Sequence, residues 1–153
     1  MKIETSILIH ATPTIVWSIL TEFEKYPEWN PFVKSLKGSV AEGKQIEVQL
    51  PGMKFKPTVV TFKPKQEFAW LGHLWIKGLF DGRHSFRLVD NNDGTTTFYH
   101  SENFSGILVP IFKQKLLKDT LNGFEHMNQK LKARAEDLAD KSYENSKNLN
   151  TDQ

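Results

Sequence analysis

Residues 3–10 alternate Ile3, Thr5, Ile7 and Ile9 with Glu4, Ser6 and His10. That period of two predicts a strand with one covered face. The period then changes. Thr12 can cap a helix that starts at Pro13, a favoured first helical position for proline. Ile15, Val16, Ile19 and Leu20 give this helix an apolar side, with Trp17 assigned to the core beside it. It is expected to end near Thr21. A second short helix over 22–29 stops at Asn30-Pro31, because the residue before a proline avoids helical backbone.

From 32 to 104 the pattern is that of strands. Segments 32–40 (an edge), 46–50, 55–63, 67–75, 79–89 and 95–105 are divided by turn residues such as Glu42-Gly43 and Pro51-Gly52. Pro57 marks an edge or a bulge. Asp90-Asn91-Asn92-Asp93-Gly94 is a strong hairpin signal between the last two strands.

The final pattern has a longer period. Leu117, Leu121, Phe124, Met127, Leu131, Ala135 and Leu138 recur at steps of three and four, which predicts one amphipathic helix over 110–139, roughly 45 Å long. Strands grouped apart from helices imply an α+β protein with about seven antiparallel strands around this helix, not a parallel α/β fold. Residues 1–141 are expected to form one domain. Residues 142–153 are polar and read as a frayed or disordered tail.

Composition narrows the function classes. The 153 residues carry a net charge of +2 with both signs interspersed, unlike the basic face of a nucleic-acid binder. The chain has no cysteine, so disulfides, thiol catalysis and cysteine-ligated zinc are excluded. No histidine pair has zinc-helix spacing, and His10, His73 and His126 are scattered, as expected of surface or structural residues. Glycine-rich phosphate loops are missing too. No metal and no cofactor is therefore expected. The N-terminus does not read as a secretory signal, and no stretch reaches the ~20 apolar residues of a membrane span. A cytoplasmic protein with no integral membrane association is the simplest expectation.

Strand parity supplies the candidate chemistry. On 79–89 the apolar set selects Phe80, Gly82, His84, Phe86 and Leu88 as inward; on 95–105 it selects Phe98, His100, Glu102 and Phe104. His84, His100 and Glu102 should therefore meet beneath the long helix. They can anchor a ligand hydroxyl or carbonyl, move a proton as acid and base, or satisfy one another in a partly polar core. The facing helix stripe is centred on Leu117, Leu121, Phe124, Leu131 and Ala135. Thr120 falls within it and Asn128 near its edge, each able to orient a ligand or, for the threonine, to bond its own helix. Lys113 projects onto the stripe, so either the first turn is out of phase or the side chain snorkels to a rim. Lys113, Lys115 and Lys118 can draw an anion or form a plain solvated face. Trp70 shares parity with Phe68 and points inward, Trp29 is expected near an entrance, Met53 and Phe55 at a mouth, and Trp75 at a rim or loop. Each aromatic is equally well explained by core packing.

Several segments together carry a family pattern. They are the Ala11-Thr12-Pro13 helix opening with Trp17, the run Tyr26-Pro27-Glu28-Trp29-Asn30-Pro31-Phe32, the Gly78 to Leu88 strand, the stretch from Asp93 to Gly106, and Gly123-Phe124-Glu125-His126-Met127-Asn128. This pattern resembles the SRPBCC group of the START-like (birch-pollen-allergen-like) superfamily, in particular its polyketide cyclase/dehydrase-like members, over about residues 3–138. The resemblance implies a helix-grip fold, with a curved seven-stranded sheet around the C-terminal helix, two short helices closing one end, and a cavity between sheet and helix. It implies no shared catalytic set. The leading expectation is a binder of a small hydrophobic molecule, lipid-, polyketide- or aromatic-like. The alternatives are a cofactor-independent cyclase or dehydratase using His84, His100 and Glu102, or a protein-interaction or chaperone-helper module.

Overall fold

Alternating side chains and breaking turns produce eight strands: β1 (Lys2–Ile9), β2 (Ser35–Lys37), β3 (Glu47–Leu50), β4 (Met53–Phe55), β5 (Thr58–Lys63), β6 (Glu67–Leu74), β7 (Phe80–Asp90) and β8 (Thr96–Ser105). The computed structural model describes residues 1–74 and 76–151; Trp75, read above as a rim residue, and the last two residues of the tail lie outside them. The eighth strand arises because the expected 55–63 strand breaks at Lys56-Pro57 into β4 and β5. Proline has no N–H to give to a ladder, although the Pro57 carbonyl still accepts from Ile46 N at 3.0 Å. The expected 32–40 edge strand shortens to β2.

Strands β1-β8-β7-β6-β5 form one antiparallel sheet and β2-β3-β4 a second. The Gln45–Thr58 bridge and the bond from Val59 N to Lys44 O, 2.9 Å, join them into one curved surface. The register shift lies between Val59 and Thr61 on β5, while β6, β7 and β8 pair without interruption. The parity of the central hairpin therefore holds.

Helix α1 (Pro13–Thr21) begins at the proline as expected. Thr12 precedes it in extended conformation, but its hydroxyl makes no capping bond. The second helical segment is a single 3₁₀ turn, Phe23–Lys25, followed by α2 (Tyr26–Trp29). Asn30 ends it. Its Oδ1 accepts from Phe32 N at 3.0 Å and Val33 N at 2.8 Å, and this turn throws the Phe32 ring inward.

Helix α3 (Val109–Thr151) packs on β1, β8 and α1. Phe124, Met127, Leu131 and Ala135 are fully buried. Leu117 and Leu138, placed in the stripe by periodicity, are instead exposed, because they lie near the two ends of the covered stretch. The helix also runs past Ala139, where a frayed tail was expected. Beyond Ala139 the sequence is polar, Lys141 pairs with Asp137 at 2.6 Å, and residues 140–145 are exposed. Removing residues 142–153 should therefore move the thermal midpoint by less than about 2 °C, as for other exposed surface changes; calorimetry of the shortened chain checks this. Among the described residues no helix is long and apolar enough to cross a membrane.

Candidate functional site

Because the central strands pair without slippage, inward side chains form rows across the sheet. Gly72, Gly82 and Phe104 make one row, Trp70, His84 and Glu102 the next, and Phe68, Phe86 and His100 a third. A cavity of about 480 Å³ opens over the first two rows. Phe55 and Met53 border it, as does Thr120 from α3. The third row lies beyond it, in the closed core.

The expected triad does meet. His84 Nδ1 lies 2.6 Å from Glu102 Oε2, and His84 Nε2 lies 2.9 Å from His100 Nε2. His100 Nδ1 lies 3.0 Å from Asn128 Oδ1 on α3, and Asn128 Nδ2 donates to Thr5 Oγ1 at 2.9 Å. One chain of polar groups thus runs from the cavity to β1. The His84 ring stacks on Trp70 at 4.4 Å and the His100 ring on Phe124 at 3.5 Å between centroids.

Protonation follows from the order of the bonds. Asn128 presents its oxygen to His100, so His100 carries hydrogen on Nδ1. Burial pushes the His100 pKa well below its ordinary value of 6.5, helped by neighbouring His84 and opposed by the Asn128 hydrogen bond. His100 is therefore neutral, and its bare Nε2 accepts from His84 Nε2–H. Burial also lowers His84 to about 3, so its Nδ1 is bare as well. The remaining donor must be Glu102, whose carboxyl burial raises to about 8. The His84–Glu102 pair sits at ion-pair distance, yet desolvation outweighs attraction when both partners leave water, and the pair stays neutral.

Glu102 Oε1 takes no part in that chain and has no protein partner among the described residues. Glu102 is 9% exposed and lines the cavity. A Cβ at Gly82 would collide with Oε1, so the glycine makes room for the carboxyl. Thr120, 7% exposed, makes no hydrogen bond to its own helix or any other described residue. The cavity therefore offers one free carboxyl oxygen and one free hydroxyl within mostly apolar walls.

The sequence-derived candidates divide by row. Phe55, Trp70, His84, Glu102, Phe104 and Thr120 border the cavity. Phe86, His100, Phe124, Asn128 and Trp29 do not. Phe86 and His100 lie one row too deep, and Trp29 packs against Tyr26 at 5.3 Å. His100 therefore cannot touch a cavity ligand and acts only through His84. Lys113 is exposed and does not line the cavity. His73 and His126 are surface residues as expected, though both reach the mouth.

Sequence reasoning missed Phe32. Its ring covers His84, His100 and Phe124 at 5.4–6.2 Å and closes the deep end of the cavity. Gly123 is the available signal. A Cβ there would strike the Phe32 ring, so the mid-helix glycine marks where another ring approaches.

Comparison with known proteins agrees with this geometry. Residues 1–136 match the family described as polyketide cyclase / dehydrase and lipid transport. The chain belongs to that family, and its architecture is the START-like helix-grip fold. Among solved structures, a hypothetical protein of Helicobacter pylori superposes with a TM-score of 0.75 at 14% identity, covering 88% of each chain. A START superfamily protein of Mycobacterium smegmatis gives 0.66 at 21% identity, covering 90% of this chain and 98% of that one. A norcoclaurine synthase of Thalictrum, solved with a transition-state analogue, gives 0.66 at 10% identity, covering 88% and 93%. At these identities the likeness shows the fold alone. No curated protein matches the sequence.

Proposed function

We propose that this chain is a cytoplasmic binding protein for a small, largely apolar molecule that presents a hydrogen-bond donor to Glu102. The observation that carries the reading is the free Oε1 of a nine-tenths-buried carboxyl facing an apolar cavity. Oε1 opens onto the cavity, among the described residues no buried side-chain polar atom lacks a partner, and a ligand hydroxyl or N–H entering there gains a charge-free acceptor in mostly apolar surroundings. The volume falls within the roughly 300–1,000 Å³ of small-molecule sites. A ligand carboxylate is disfavoured, because a second acid would meet Glu102 in a poorly solvated space.

Native mass spectrometry of freshly purified protein tests the reading. A retained neutral molecule is expected, and added hydroxylated apolar compounds should raise the thermal midpoint, since binding to the native state alone must stabilise it. An empty spectrum together with a flat response across lipids, polyketides and aromatic alcohols would refute it.

One observation favours a second reading. A carboxyl that keeps its proton at neutral pH acts as a general acid once a substrate takes that proton from its bond to His84 Nδ1, and this supports a cofactor-independent cyclase or dehydratase. With the ligand in hand, Glu102→Gln separates the two. Retained binding with lost turnover selects the enzyme, whereas no turnover by the unaltered protein selects the binder.

A further inference from the structure

We propose that the corner beside the cavity mouth docks onto an anionic lipid bilayer. Ile76, Ile107 and Ile111 are 68%, 73% and 72% exposed, and Phe112 is 42% exposed. They stand together because Ile107 N bonds Gly78 O at 3.2 Å and Leu108 N bonds Leu79 O at 3.1 Å. These bonds tie the β6–β7 turn to the start of α3. Isolated surface apolar residues need no explanation, but several at one corner mark an interaction site.

Charge identifies the occupant. Lys77 adjoins Ile76 in the chain, Lys113, Lys115 and Lys118 follow Ile111 within seven residues, and all four are exposed. None of the three helix lysines forms an ion pair among the described residues. Lys115 and Lys118 lie four and seven residues after Ile111, on its outward helix face. The nearby acids are Asp81, which is engaged by His73 at 2.7 Å, and Asp119. Protruding aliphatic groups flanked by lysines fit the boundary between acyl chains and anionic headgroups. A second copy fits poorly, because a two-fold contact would set these lysines against their own equivalents. Leu116 and Asp119 of the same helix border the cavity, so docking would bring the mouth to the lipid surface.

Co-sedimentation with vesicles tests this, and needs no cavity ligand, so it stands or falls apart from the binding reading. The probes are phosphatidylcholine vesicles with and without about 30 mol % phosphatidylserine. The full chain should bind the anionic vesicles at least about tenfold more tightly, and raised salt should weaken that binding. The double variant Ile107→Ser/Ile111→Ser should lose about tenfold or more. Lys113→Gln/Lys115→Gln/Lys118→Gln should lose the preference for phosphatidylserine. All five positions are exposed, so thermal midpoints should stay close to that of the unaltered protein. Lack of binding to either vesicle overturns the proposal. So does binding that the isoleucine variants leave unchanged, or a dimer in solution that those variants dissociate.

Discussion

Phe124→Ala should lower folding stability by about 3–5 kcal/mol, the usual loss when a buried aromatic ring is cut back and the space does not collapse. Phe124 is fully buried. Its ring lies against His100, and Phe32 and His84 abut it at 5.4 and 5.3 Å. All three are pinned elsewhere, by the Asn30 turn or the sheet, so the void should persist. Urea unfolding measures the loss as a lower midpoint at similar slope. Proton NMR of the imidazoles gives a second reading. In the unaltered protein His84 and His100 should not titrate between pH 5 and 8. With Phe124 gone, water reaches His100 and its titration should move up toward the ordinary range. A loss below about 1 kcal/mol would show that the rings slide together and that Phe124 is not what keeps His100 dry.

Glu102→Gln should match the stability of the unaltered protein at or below about pH 4.5 and exceed it by a margin that widens from there to about pH 8. The glutamine amide can donate to His84 Nδ1 as the protonated carboxyl does. The sign follows from proton counts. Above about 6.5 the histidines are neutral in both folded and unfolded chains. Glu102 then holds its proton in the fold, up to about 8, and has lost it in the unfolded chain. Stability therefore falls as pH rises through this window, by up to about 1.4 kcal/mol per unit. Between about 4.5 and 6.5 the unfolded chain gains two imidazole protons, from His84 and His100, against the one the fold keeps on Glu102. Stability then falls as pH drops. This cluster alone places a maximum near pH 6.5, and the glutamine variant removes the alkaline arm. If both proteins lose stability equally between pH 6.5 and 8, Glu102 is already ionised in the fold and the proton order derived above is wrong.

The meeting of His84, His100 and Glu102 was legible because no bulge interrupts their hairpin, so parity alone aimed the side chains. Asn128 was legible from helical projection, and Thr5 shared the inward parity of β1 without any hint of its role. What parity cannot give is depth. Phe86 and Phe104 look alike in sequence, yet one lies in the closed third row and the other in the first. The boundary between them is drawn by Phe32. Its position depends on the path of the chain through Asn30-Pro31, and no periodicity encodes that path. Leu117 was misplaced for a related reason. A helical stripe shows which face can be covered, but not how far along the helix the cover extends. The corner at Ile76 and Ile107 lies in turns, where apolar residues were not read as a pattern.

The Asn128 bond to His100 has a mechanical consequence. Apolar ridges tolerate sliding, since one aliphatic contact replaces another at little cost. A slip of α3 by one turn would bring Phe124 or Lys132 to the place of Asn128, and neither could accept from His100 Nδ1. The stranded N–H would cost about 1–3 kcal/mol. The Thr5 hydroxyl would lose its donor in the same movement. A single amide thus acts as an indexing pin, fixing the longest element of the molecule at one notch along the sheet.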